Sequence, residues 1–129
     1  LGIMSANALS FSGCAVTSID FTTSVPVYTN ASISNAPRRV IGSINTLWSA
    51  DANNNKNVKY NGSNNDKNSV LNAVGAGTPN NTISNVYRIE DLNMDGIIRY
   101  NNSNNDRQII LDNVGVNSPN IILFQHTPN

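Results

Sequence analysis

Asp91-Leu92-Asn93-Met94-Asp95-Gly96 is the stretch on which the reading of this chain turns. It has the form D-x-N-x-D-G, the opening half of an EF-hand-type calcium loop. In such a loop positions 1, 3 and 5 supply side-chain oxygens, position 6 makes a sharp turn and position 7 supplies a backbone carbonyl, here that of Ile97. Gly96 suits the turn because position 6 needs a positive φ that a side chain resists. The usual Glu at position 12 is absent, and Asn102 stands there. A carboxylate follows four residues later, so the loop reads as carrying an insertion with Asp106 as the closing, bidentate ligand.

The pattern occurs twice. Residues 51–80 align with 91–120 at a constant offset of 40, without gaps, and share Asp51/Asp91, Asn53/Asn93, Tyr60/Tyr100, Asp66/Asp106, Leu71/Leu111, Gly75/Gly115 and Pro79/Pro119. A fixed period of this size marks one duplicated supersecondary unit. In the first copy the ligand positions are Asp51, Asn53, Asn55, the carbonyl of Asn57, and Asp66. Lys56 stands where the second copy has Gly96. Amide oxygens coordinate calcium, but this site has two carboxylates against three, and ligand charge is one of the factors that tune affinity. The expectation is two Ca²⁺ sites, with the one at residues 91–106 the stronger.

Downstream of each loop a short helix is expected. In the first copy Val70, Leu71 and Val74 share a face, Asn65 or Asp66 is suited to the N-cap, and Gly75 is suited to ending the helix. The second copy, from Asp106 to Val114, carries Ile109, Ile110, Leu111 and Val114, and its wider apolar face suits packing against the first helix and Trp48. Tyr60 and Tyr100 either close the insertions over the loops or simply pack in the core. Between the copies, Val86, Tyr87 and Ile89 are expected to turn toward the core, and Ile121 to Phe124 reads as a docked strand or tail.

The first 50 residues are less informative. Leu1 to Phe11 reads as one strand, and Val16 to Thr22 alternates in the manner of another. Arg39 to Trp48 is apolar enough to be buried, and its Gly42 and β-branched content favour strand over helix. Cys14 has no base motif near it and reads as an inert thiol. His126, the only histidine, has a solvated tail position as its default, so Ser/His/Asp and Cys/His catalysis find little support.

Composition narrows the classes. The chain has 129 residues, 8 basic and 8 acidic, with charged residues at 12%. That leaves no electrostatic footprint for nucleic acid or an anionic membrane surface, and no apolar run is long enough for a membrane span. Asn makes up roughly a fifth of the chain, consistent with loops that visit left-handed conformations.

A loop followed by one helix, duplicated, with no helix before the loop, resembles dockerin. The motif D-x-N-x-D-G-x-x-[KR]-Y-x-x-S-N-N-D-[RK]-x-x-[IV]-L is similar to a dockerin-like C-terminal region of large secreted or cell-surface Bacteroidota proteins. The departure from ordinary dockerin loops is the insertion Asn101-Asn102-Ser103-Asn104, with Asn61-Gly62-Ser63-Asn64 in the first copy. The resemblance implies an α+β fold in which a β-rich segment at 1–48, the end of an upstream β-domain plus linker, precedes a calcium-binding module at 49–129. It also implies a secreted or surface location and no catalytic activity in this module. The functional expectation is a non-catalytic calcium-stabilised module serving surface display, adhesion or assembly. The alternative is a docking module that binds a specific partner domain and is attached to an extracellular enzyme.

Overall fold

The computed structural model describes residues 1–8, 18–23 and 25–128. Contacts divide the chain into two compact units. One comprises Gly2–Trp48 with Gln125–Asn129, and the other Leu1 with Ser49–Phe124. The secondary structure is mixed α and β, with two helices and three small antiparallel sheets.

In the unit of residues 2–48 and 125–129, β1 (Arg39–Ile41) and β2 (Ile44–Thr46) form a hairpin around Gly42, whose φ of 62° suits the first position of a two-residue turn. The segment expected as one buried strand is therefore two strands, and it is exposed: Val40, Ile41, Ile44 and Leu47 are each more than half accessible. No strand is present over 18–22. There Asp20 Oδ1 accepts from the Thr22 N–H and hydroxyl and bends the chain into a turn, a local bond that competes with strand pairing. Ser5 makes an isolated antiparallel bridge to Val27, all that is seen of the strand expected from Leu1 to Phe11. Beyond that hairpin and bridge, the expected β-rich character does not appear among the described residues. Cys14, Val16 and the end of the first expected strand lie outside them. Trp48, expected on the repeat pair, groups with residues 2–47, and its indole N–H donates to Ala36 O at 2.7 Å. His126 is buried, not solvated. Its Nδ1 accepts from the Asn30 N–H at 3.0 Å and its Nε2 lies 2.8 Å from Asn35 O, so the neutral Nε2–H tautomer satisfies both.

The second unit holds the duplication. Helix α1 (Asp66–Val74) starts at Asn65, whose side chain accepts from the Asn68 N–H at 2.9 Å, and ends at Gly75 with φ 99°. Helix α2 (Asp106–Val114) repeats this with Asn105, Gln108 and Gly115. Each loop leads into a three-residue strand, β3 (Asn57–Lys59) in the first copy and β5 (Ile97–Arg99) in the second. Each helix is followed by another, β4 (Thr82–Ser84) and β6 (Ile122–Phe124).

The strands pair crosswise. β3 pairs with β6, and β5 pairs with β4, in the same register once the offset of 40 is applied: Val58 faces Leu123 as Ile98 faces Ile83. The loop strand of each copy is thus completed by the strand that follows the other copy's helix. The helices follow suit, α1 packing on β5 and α2 on β3 as well as on each other. Helices this short do not hold alone in water, and the crossing supplies the burial they need. Val58, Val70, Ile98 and Ile110 are fully buried, each worth about 2 kcal/mol. Leu71, Leu111 and Ile109 are only half-buried. Tyr87 and Ile89 are exposed, contrary to expectation. Asn85, with φ 59°, turns the chain out of the sheet just after β4.

Candidate metal centre

Each loop is wound on its own side chains. In the second copy the Asp91 carboxylate accepts from the Asp95 N–H at 3.1 Å and the Gly96 N–H at 2.9 Å, and Asn93 Oδ1 accepts from the same Asp95 N–H at 3.0 Å. Asp95 Oδ1 accepts from the Ile97 N–H at 2.9 Å. One N–H shared between Asp91 and Asn93 brings the oxygens of positions 1 and 3 together, and Gly96 closes the turn with φ 78°. The first copy matches bond for bond. Asp51 accepts from Asn55 N–H and Lys56 N–H, Asn53 Oδ1 from Asn55 N–H, and Asn55 Oδ1 from Asn57 N–H. Lys56 takes the glycine's place at φ 66°, a conformation a lysine adopts at a cost of about 1 kcal/mol.

The aspartates that open the helices take a role the sequence reading did not include. Asp106 is fully buried. Its Oδ1 accepts from Leu92 N–H at 2.7 Å and Asn93 N–H at 3.3 Å, and its Oδ2 from Arg99 N–H at 2.8 Å. Asp66, equally buried, accepts from Ala52 N–H at 2.8 Å and Lys59 N–H at 2.7 Å. Each carboxylate therefore ties the entry of its loop to the exit strand and to the helix start. Burial pushes the Asp66 carboxyl up to about 6, opposed by the N–H bonds from Lys59 and Ala52. It raises Asp106 as well, against the N–H bonds from Arg99, Leu92 and Asn93.

The charge around the two loops differs. Asp95 pairs with Arg99, whose side-chain hydrogen bond holds its carboxyl below the usual range. The second loop then has Asp91, Asp95 and Asp106 against Arg99. The first has Asp51 and Asp66 against Lys56 and Lys59, and so no net negative charge. Beside each loop lies an open cleft, about 470 Å³ at the second, lined by Asn93, Asp95, Asn104, Gln108 and Asp112, and about 430 Å³ at the first, lined by the equivalent Asn53, Asn55, Asn64, Asn68 and Asn72. Positions 3 and 5 of each loop thus border solvent-open space through which an ion could enter. Asn57 Oδ1 is a buried acceptor without a partner at the rim of the first loop.

Both tyrosines are half-buried, and each stacks with a cation of the following helix. Lys67 Nζ lies 4.5 Å from the centre of the Tyr60 ring and Arg107 Cζ 4.7 Å from that of Tyr100, so each ring carries the cation of its helix's first turn.

Among the described residues, no three His, Cys, Asp or Glu side chains group in a way that could hold a metal ion. The converging donors are instead a mixture of carboxylate and amide oxygens, a set that suits a hard cation and not a thiolate- or imidazole-loving one. No helix among the described residues is long and apolar enough to cross a membrane. The chain matches no protein-family model, no curated protein and no solved structure.

Proposed function

We propose that residues 49–129 form a non-catalytic calcium-binding module of a secreted or cell-surface bacterial protein, serving display, adhesion or assembly. The observation that carries this reading is the convergence of Asp91 and Asn93 oxygens on one backbone N–H, with Asp95 bound to the next turn of the same loop. Asp91, Asn93, Asp95 and the Ile97 carbonyl would hold the ion, which would supply positive charge between carboxylates that otherwise repel. Asp106 backs this set by drawing the loop's ends together. The second loop, with the larger negative charge and a glycine at its turn, is the tighter site.

Because the liganding carboxylates repel one another without the ion, calcium binding is expected to appear as folding free energy. At a free ion concentration about 100 times the Kd, one site adds about 2.7 kcal/mol, and the melting midpoint rises by on the order of 10 °C. Thermal unfolding with millimolar Ca²⁺ and with a chelator, beside calorimetric titration, tests this. Two unequal sites and a raised midpoint support the reading, whereas no heat and no shift remove it.

The docking alternative has one observation in its favour. Tyr87 is fully exposed and Met94, on the second loop, is 89% exposed, two large apolar side chains of the kind enriched where proteins meet.

A further inference from the structure

The insertion of the first repeat contains Asn61-Gly62, the only Asn–Gly pair in the chain. Gly62 adopts φ 90°, and the nearest atom to the place a Cβ would occupy is Lys59 Cδ at 3.8 Å. Among the described residues its N–H makes no hydrogen bond. The Asn61 side chain is held at both ends: Oδ1 accepts from Lys67 Nζ at 2.8 Å, and Nδ2 donates to Asn120 Oδ1 at 3.0 Å. The second repeat has the equivalent clasp, Asn101 Nδ2 to Asn80 Oδ1 at 2.9 Å. It has Asn102 in place of the glycine and Arg107 in place of the lysine.

We propose that Asn61 is a self-modification site, at which the chain deamidates through a cyclic imide and alters one of the two clasps that join the repeats. Hydroxide removes the Gly62 amide proton, and that nitrogen attacks Asn61 Cγ. The new N–C bond forms as the Cγ–Nδ2 bond breaks, and Nδ2 takes up a proton and leaves as ammonia. Water then opens the imide at either carbonyl, giving aspartate or isoaspartate at position 61. The balance is one water consumed and one ammonia released, with no oxidant or cofactor.

Three features favour this position. Gly62 has no side chain to shield the attacking nitrogen, and that nitrogen is not tied up in a hydrogen bond. Lys67 donates to the oxygen on which negative charge develops, an oxyanion-stabilising contact of the usual kind. In the aspartate product the carboxylate keeps Lys67 as an ion-pair partner but has no donor of its own, so the contact with Asn120 persists only with the Asn120 amide turned over to donate. The Asn101–Asn80 clasp is untouched, and the change falls on one side only.

Incubating the intact chain at neutral and mildly alkaline pH, with peptide mass spectrometry over time, tests the proposal. The Asn61 peptide is expected to gain about one dalton, with an isoaspartate fraction, at a rate that rises with pH. The rate should exceed that at Asn101 by at least about tenfold. Gly62→Asn, which copies the second repeat, should bring the rate down to that of Asn101. Lys67→Met, checked for an unchanged circular dichroism spectrum, should slow it several-fold, with partial rescue by Lys67→Arg. Equal rates at Asn61 and Asn101 would overturn the site. An unchanged rate in Lys67→Met would overturn the lysine's part. A stable loss of ammonia that crosslinks Lys67 to Asn61 would show that the lysine nitrogen, not the Gly62 amide, attacks the carbon.

Discussion

Replacing Asp106 by asparagine separates two jobs for the same carboxylate, tying the loop to the helix and holding an ion. The fully buried carboxylate accepts backbone N–H groups on both oxygens, from Leu92 and Asn93 on one and from Arg99 on the other. Asparagine has nearly the same shape but only one acceptor. Whichever way the amide is turned, one set of buried N–H groups faces an NH₂ that cannot accept. A hydrogen bond to a charged group is worth about 1.5–3 kcal/mol, and leaving a buried donor unmade costs about 1–3 kcal/mol. Relief of the carboxylate's desolvation, the same burial that raises its pKa, returns part of this. The expected net loss is about 2 kcal/mol, or a midpoint lower by roughly 6 °C in a chain of this size. The assay is denaturant unfolding of both proteins, once with a chelator and once with Ca²⁺. If the tie is structural, the loss appears in chelator. Asp66→Asn strips an acceptor from Ala52 or Lys59 but also removes a charge that burial disfavours, and should show a smaller loss. An unchanged stability in chelator would refute the tie. A loss that appears only with calcium would make Asp106 a ligand first.

Two other outcomes follow from the geometry. Lys56→Gly relieves a positive φ of 66° and should stabilise the chain by about 1 kcal/mol in chelator. The same change removes a positive charge beside Asp51 and should tighten calcium at the first loop, read by titration with the second loop disabled. The acid limb should also be unusual. Asp66, pushed up to about 6 in the folded state, binds its proton more tightly folded than unfolded. Its contribution is therefore complete below the ordinary carboxylate value near 4 and is lost as pH rises through 6. That makes the metal-free chain more stable at pH 4 than at pH 7 by about 2 kcal/mol from this group, a slope that Asp66→Asn should flatten; a stability that rises over the same range in both proteins would contradict it.

What was legible in the sequence was local. The D-x-N-x-D-G loop, the extent of both helices, a cap for the first at Asn65 or Asp66 and its end at Gly75 depend on residues close to one another in the chain, and the 40-residue repeat shows by direct comparison of the two copies. Hydrophobic spacing also pointed to Val70, Val74, Ile110 and Val114 as core residues. The tertiary structure decided the rest. Only chain crossing reveals that β3 is completed by β6 and β5 by β4, since those partners lie far apart in sequence and a three-residue strand carries no mark of which edge it will join. His126 looked like a tail residue because its partners, Asn30 and Asn35, are some 90 positions away. Asp66 and Asp106 were expected as ligands because a sequence shows a carboxylate's charge and spacing. That their oxygens also accept backbone N–H groups from the loop's entry and exit is set by how the loop closes in three dimensions.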